Sequence, residues 1–368
     1  MPIAIASSLV AYQVLYIFVH LTVYAVLVAA FGLSADAMAL KIVFLILSVS
    51  FTVATFVSFR FRGKFIEWFY TIAAYWFGLI NFLFMGAVAW FFVVTIFNYF
   101  NFYFPFAIIG AVTFGAGFLI HLYGTWNAQR AEITRITVSP PGLPDAWRGR
   151  KIVFVSDAHL GNVHHARFAG RVVRKIMALK PETIFIGGDI FDGGACDPEE
   201  LIAPLRALKA PKGVYFISGN HEFYVRNFET AFTAIRGAGI RILDNETVDI
   251  DGVTVVGVDF RAVHKKEDFE KVLAGLNLDR SKMNLLLKHE PDNLPVAEAA
   301  GITLGFFGHT HQGQIFPLNI ITRQLYNGYD YGLKQHGTMQ VYTSSGVGTW
   351  GPPLRIGTKS EIVLVEFK

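Results

Sequence analysis

The chain has 368 residues, 53% of them hydrophobic, with a formal net charge of +4 and a single cysteine. This length accommodates two domains, and one thiol, Cys196, excludes an intramolecular disulfide and fits a reducing compartment. The small basic excess, without a basic stripe interleaved with aromatics, argues against nucleic acid as a partner.

Charge is unevenly spread. Positions 1–124 hold only Asp36, Lys41, Arg60, Arg62, Lys64 and Glu67 as charged residues, and the runs Pro2 to Ala35, Ile42 to Phe59 and Trp68 to Gln129 have none. A bilayer span needs about 20 apolar residues, so these runs predict one, one and two transmembrane helices. We place them at 9–31, 42–59, 69–97 and 105–124, with the proline-ended "NYFNFYFP" (98–105) as the break in the last run. Further spans and the lack of a basic leading region argue against a cleavable signal peptide. Arg60, Arg62 and Lys64 follow the second span, and Arg130 and Arg135 follow the fourth. With four spans both clusters fall on one side, predicting a multi-pass cell-membrane protein with its C-terminal domain in the cytoplasm. Three shorter spans within 68–129 would reverse that side. Gln13, His20, Asn81 and His121 are polar and uncharged within the spans, as expected of helix-to-helix hydrogen bonds rather than of a transport pathway.

From Lys151 onward short β-rich runs alternate with helical patterns. Strands are predicted at 151–156, 183–188, 213–218, 240–243, 253–258, 284–288, 302–307, 314–316, 339–343 and 361–367. Helices are predicted at 166–179, 199–209, 227–237, 266–276 and 294–300. The alternation defines an α/β domain. The proline- and glycine-rich "SPPGLPDAWRG" (139–149) reads as the domain entry. The expected organisation is therefore a membrane domain over 1–127, a linker over 128–149 and a catalytic domain over 150–368.

Five of the predicted strands end on the same kind of chemistry. They deliver Asp157 and His159, Asp189 and Asp192, Asn220 and His221, His289, and His309 with His311. Ligands of open α/β sheets bind beyond the carboxyl ends of the strands, so these oxygen and imidazole donors are expected to share one crevice. Such a set, without thiolate, suits Mn, Fe or Zn. It exceeds what one ion uses alongside water. Two ions sharing a bridging carboxylate, about 3.5–4 Å apart, can clamp a phosphoryl displacement and supply a hydroxide nucleophile at neutral pH. Gly188, Gly219 and Gly308 would let the backbone approach the site closely.

The ordered set D-x-H, G-D-x-x-D, G-N-H-E, a lone histidine and G-H-x-H, spread over 157–311, resembles the calcineurin-like metallophosphoesterase superfamily. The resemblance implies a two-sheet α/β sandwich flanked by helices. It also implies one cation on Asp157, His159, Asp189 and His311, and a second on Asp189, Asn220, His289 and His309, with Mn the habitual metal. His221 would then be the general acid and Asp192 the carboxylate that orients it, although His221 could instead be a further ligand and Asp192 a helix cap. "HEPD" (289–292), "GHTHQGQI" (308–315) and "SSGVGTWGPPLRIG" (344–357) are similar to the membrane-associated bacterial branch, which includes YkuE-like phosphoesterases and chlamydial-type UDP-2,3-diacylglucosamine pyrophosphatases. Lys288 and Gln312 depart from the residues usual at their positions without removing a ligand.

His164 and His165 read as loop residues, Asn245, Glu246 and Asp249 as hairpin and turn residues, and Cys196 as a small packed side chain. The function expected is hydrolysis of a phosphodiester or pyrophosphate on a lipid-linked substrate. Soluble nucleotides, or a metal-bound scaffold without turnover, are the alternatives.

Overall fold

The protein, seen here in a computed structural model, is described over residues 3–34, 38–263 and 265–368, with side chains from residue 11 onward. Contacts divide the chain into two units, Met1–Trp126 with Gly351–Leu354, and Asn127–Trp350 with Arg355–Lys368.

The first unit holds four helices, α1 (Ile3–Phe31), α2 (Met38–Arg60), α3 (Lys64–Tyr99) and α4 (Phe106–Ala128). All four are long and apolar enough to cross a membrane, and each expected span falls on one of them. The long uncharged run from Trp68 therefore contains two helices rather than three. Helix α3, at 36 residues, is ~54 Å long and exceeds a ~30 Å hydrocarbon core. Its end coincides with Asn101 in the left-handed region, φ 55°. Polar side chains tie helices together, as lipid favours. Gln13 donates to the Ser48 carbonyl at 2.9 Å and accepts from Thr52 at 2.7 Å, joining α1 to α2. Trp76 donates to His20 Nε2 at 2.9 Å, joining α3 to α1. Asn81 bonds within its own helix, to the Phe77 carbonyl at 2.6 Å.

The second unit is built on two six-stranded sheets. The first contains β1 (Glu132–Val138), β2 (Lys151–Val155), β3 (Thr183–Ile186), β4 (Val214–Phe216), β5 (Arg241–Ile242) and β12 (Glu361–Phe367), in the order β1-β12-β2-β3-β4-β5. The second contains β6 (Glu246–Ile250), β7 (Val253–Gly257), β8 (Asn284–Leu287), β9 (Leu304–Phe307), β10 (Gly332–His336) and β11 (Met339–Thr343), in the order β10-β11-β9-β8-β7-β6. Strands β2 to β5 run parallel to one another, as do β7, β8 and β9, so the carboxyl ends within each group share an edge.

Period-two alternation puts one face of each strand between the sheets. Ile152 and Phe154 join Leu285, Leu287, Leu304 and Phe306 there, with Phe154 and Phe306 stacked at 5.2 Å. The opposite faces take the helices. Val153 and Val155 pack under α5 (Ala166–Ala178), whose apolar stripe is Phe168, Val172, Val173 and Ile176. Leu286 packs with Phe269 and Leu273 of α8 (Lys266–Gly275). The result is the two-sheet sandwich flanked by helices that the family resemblance implies.

Several local expectations are corrected. Residues 128–149, expected as a linker, carry β1, which pairs parallel with β12 from Glu132↔Glu361 to Val138↔Phe367. The same stretch sinks Trp147 fully into the core, where its Nε1 donates to the Ile250 carbonyl at 2.8 Å. The predicted helix 199–209 is α6 (Pro198–Ile202) followed by a 3-10 turn, Ala203–Ala207. Pro204 lacks the N–H that a continuing α-helix requires. No strand forms at 314–316, where Ile315 makes a single bridge to Ile356. Strands β6 and β10, and helix α10 (Leu318–Leu325), were not expected. The remaining helices, α7 (Phe228–Gly237) and α9 (Leu294–Ala299), lie where predicted.

Candidate metal centre

Each site residue stands just past a strand end, where the parallel sheet runs out of ladder partners and the chain must turn. Asp157, His159, Asp189, His309 and His311 all adopt positive φ, between 47° and 68°, a conformation costly for non-glycine residues and characteristic of functional turns. The close approach is visible at Gly219. A Cβ there would collide with the Asp189 carboxylate and lie 2.8 Å from the Asp189 backbone nitrogen.

The seven residues expected as ligands come together in two neighbouring groups. In one, His159 Nε2 and His311 Nε2 are 2.9 Å apart, and Asp157 Oδ1 lies 3.6 Å from His311 Nε2. In the other, His309 Nδ1 is 3.0 Å from Asn220 Oδ1 and 3.3 Å from His289 Nε2. Asp189 stands between them, with Oδ2 3.8 Å from His159 Nε2 and 3.1 Å from His289 Nε2. Asp157, His159, Asp189 and His289 are almost fully buried, with at most 2% exposure. Two donors at right angles, each ~2.1 Å from one ion, are ~3 Å apart, so these nitrogen and oxygen separations fit divalent cations.

The electrostatics fit as well. Burial raises the Asp157 carboxyl, Asp189 raises it further, and His289 opposes both. Burial alone would also raise Asp189, but His289, His221 and His159 outweigh it and hold that carboxyl well below the usual range. Burial works against the charged form of His289, yet Asp189, Asp157 and the Gly187 carbonyl push it up to about 10. His309 is lowered to about 3 by burial and the His289 charge, and His311 is lowered by burial, His159 and Arg355. Burial opposes the charge on His159, but Asp192, Asp189 and Asp157 outweigh it and raise that imidazole too, whereas His309 and His311 stay neutral and able to donate lone pairs.

The ring nitrogens turned away from the centre have partners of their own. His289 Nδ1 donates to the Gly187 carbonyl at 2.8 Å, and Glu290 Oε1 lies 3.0 Å from His309 Nε2. Asp192 Oδ1 is 3.3 Å from His159 Nδ1, an ion-pair separation rather than a formed hydrogen bond. Such partners fix a tautomer and leave the opposite nitrogen for a metal. Here the expected role of Asp192 is corrected. Its carboxylate is 3.9 Å from His221 Nδ1, and it is the Asp192 backbone carbonyl that accepts from that nitrogen, at 2.8 Å. The turn after Ile190 aims the side chain at His159 and leaves the main chain facing His221. His221 itself belongs to a third possible donor group, with His159 and Asp189.

Sequence reading assigned no role to three further residues. Glu222 is fully buried and accepts backbone N–H bonds from Asp189 at 2.9 Å, Ile190 at 2.7 Å, Phe191 at 3.3 Å and Gly219 at 2.7 Å, fastening two ligand loops together. Burial, followed by the Asp189 charge, pushes it up to about 7. Arg355, also fully buried, donates to the carbonyls of His311 at 3.2 Å, Ser345 at 2.5 Å and Gly348 at 2.8 Å. Glu290 was visible as the neighbour of His289, but nothing in the sequence linked it to His309. His164, read as a loop residue, is buried and bonded to Thr349 Oγ1 at 2.8 Å.

Oxygen and imidazole donors gathered at the carboxyl ends of a two-sheet sandwich define a metal-dependent hydrolase. Residues 150–313 match the calcineurin-like phosphoesterase family. The chain belongs to the calcineurin-like metallophosphoesterases, enzymes that hydrolyse phosphoric esters. It is 33% identical to a Helicobacter pylori metallophosphoesterase over 68% of this chain and 69% of that protein. A Bos taurus transmembrane protein with a metallophosphoesterase domain is 34% identical over 66% of this chain and 59% of its own length. The Bacillus subtilis metallophosphoesterase YkuE is 31% identical over 70% of this chain and 92% of its length.

Proposed function

We propose that this protein is a membrane-anchored phosphohydrolase with a dinuclear centre, cleaving a phosphodiester or pyrophosphate bond in a lipid-linked substrate. Asp157, His159, Asp189 and His311 would hold one cation, and Asp189, Asn220, His289 and His309 the other, with Mn the first choice. The observation that carries the reading is Asp189, whose single Oδ2 lies 3.8 Å from His159 Nε2 in one group and 3.1 Å from His289 Nε2 in the other. When bound, two such cations supply Lewis acidity toward a phosphoryl group and a water of lowered pKa.

The chain's own residues do the rest. His221 Nδ1 is anchored on the Asp192 carbonyl, so Nε2 is the nitrogen that would carry a proton to the departing oxygen. The Asp192 carboxylate orients His159. Glu222 keeps the Asp189 and Asn220 loops in register, and Arg355 holds the His311 turn to the loop at Ser345–Gly348. A lipid-linked substrate suits an enzyme with four candidate spans, because diffusion in the membrane plane replaces extraction from it. The basic residues after α2 and α4 support a cytoplasmic catalytic domain.

Chelation should abolish hydrolysis of bis-p-nitrophenyl phosphate by the full chain, and metal should restore it. Asp189→Ala should be inactive under both conditions, and retained turnover in that variant would contradict the shared carboxylate. Mass spectrometry of whole-cell lipids from a deletion strain should reveal an accumulating phosphodiester or pyrophosphate lipid. An unchanged lipid profile beside an accumulating soluble nucleotide would overturn the choice of substrate class.

A further inference from the structure

Helix α10 begins seven residues after His311 and is amphipathic in the reverse sense for a soluble domain. At 100° per residue Leu318, Ile321 and Leu325 fall within an arc of ~60°, with Asn319 and Arg323 opposite and Ile320 next to Arg323 on that far side. A soluble domain would turn that apolar stripe inward. Here the stripe faces out, with Leu318 50%, Ile321 52% and Leu325 72% exposed; Ile320 is exposed as well, and no residue of the helix is buried. The half-buried residues of the helix are the polar Asn319 and Thr322. Gly313 abuts the backbone of Asn319, so a Cβ at Gly313 would lie 2.5 Å from the Asn319 Cα, and Asn319 Oδ1 is buried.

The apolar surface continues to the rim of the candidate metal centre. Phe316 is 48% exposed and immediately precedes the helix turn. Trp350, 57% exposed, has its ring 6.2 Å from that of His221. Its backbone is tied to Gln314 by paired 3.0 Å bonds, so it belongs to the same loop system. Tyr326, at the end of α10, has its ring 6.4 Å from that of His309.

We propose that α10 is an interfacial lipid-contact helix whose apolar face enters the acyl boundary of the bilayer beside the metal centre. Three features of the chain select lipid as the occupant. The polypeptide carries four helices able to cross a membrane. Residues 129–131 alone separate the end of α4 at Ala128 from the start of β1 at Glu132, a tether of at most about 15 Å. The surface combines aliphatic residues with an aromatic fringe and a cation, Arg323, on the polar side, the composition of helices lying in a membrane interface. An exposed apolar patch of this kind on a soluble surface marks an interaction site. The proposal rests on membrane anchoring and is independent of the substrate and of the metals.

The test uses the full chain in a Cys196→Ser background. Ile321→Cys, Leu325→Cys and, as a control on the exposed face of α8, Glu270→Cys are labelled with bimane and reconstituted into phosphatidylcholine liposomes, with or without acyl-brominated phosphatidylcholine. Folded protein is selected by size-exclusion elution and thermal unfolding matching the parent. Brominated lipid should quench bimane at positions 321 and 325 at least twofold and leave position 270 unchanged. Equal, weak quenching at all three positions would overturn the proposal. So would disulfide cross-linking of unlabelled Leu325→Cys between copies without quenching, which would identify a second chain as the occupant. Because quenching needs no turnover, a negative result here is distinguishable from failure of the substrate reading, which hydrolysis and lipid profiles report.

Discussion

Replacing Gly308 by alanine tests whether the centre depends on sub-ångström placement of Asp157. The new Cβ would lie 2.5 Å from Asp157 Oδ2 and 2.7 Å from Ser156 Oγ, against ordinary contact from 3.4 Å. The carboxylate would have to retreat by about 0.9 Å, and a displacement near 1 Å at a reacting site costs on the order of 100-fold in rate. Retreat is hindered from the other side, because Gly346 is packed so closely that a Cβ there would sit 2.8 Å from the Asp157 Cβ. The carboxylate is also pinned by the His309 amide, at 3.0 Å and 3.2 Å from its two oxygens. We therefore expect Gly308→Ala to lose about 100-fold in kcat/KM on bis-p-nitrophenyl phosphate, or ~2.7 kcal/mol of transition-state stabilisation, together with part of the bound metal. Kinetics and elemental analysis of the purified full chain measure both. Gly275→Ala, at a position where a Cβ meets nothing within 4 Å, serves as the control and should match the parent. Full activity and full metal content in Gly308→Ala would refute the packing argument.

Glu290→Gln removes the charge facing His309 Nε2 and should weaken metal affinity about 10-fold, as outer partners of metal-bound histidines do; unchanged affinity in a chelator competition would reject that role. Trp147→Ala deletes a fully buried ring and strands the Ile250 carbonyl, so destabilisation of about 3–5 kcal/mol is expected; a change under ~1 kcal/mol in denaturant unfolding of the catalytic unit would show that this segment is not anchored. The Asp244 carboxyl is raised from 3.8 to about 6, by burial that outweighs its bond from the Ser218 amide. Its folded pKa lies above its unfolded value, so the native state holds more protons between about pH 4 and 6. Stability from this group therefore declines as pH rises through that window. Asp244 is half-buried by exposure, so after allowance for solvent screening we expect Asp244→Asn to gain ~1 kcal/mol at pH 8 and much less at pH 4.5. Thermal unfolding at the two pH values checks this, and an equal shift at both would remove Asp244 as the cause.

The membrane helices and the strand-borne donors were legible because each rests on local pattern. Uncharged apolar runs of about twenty residues or more have few fates but the bilayer, and a short apolar run ending on Asp or His reads the same wherever it folds. Elements whose partners are distant in sequence were harder to read. Strand β1 is an edge strand with most of its residues partly or fully exposed, so its alternation is weak, and its pairing with β12 joins positions more than 200 residues apart. Helix α10 carries no core-packing signature, because its apolar face meets no protein core.

The chain order of Asp157, Asp189, Asn220, His289 and His311 determined which donor types would gather at the carboxyl ends of the strands of the two sheets. Tertiary structure decided what each donor's second atom touches. It turned the Asp192 carboxylate to His159 rather than to His221, set Glu290 against His309, and buried Arg355 beneath the His311 turn. The physical reason is range. Periodicity and turn chemistry act over a few residues, whereas the orientation of an imidazole is set by whichever acceptor the packed sheets bring within about 3 Å of its far nitrogen.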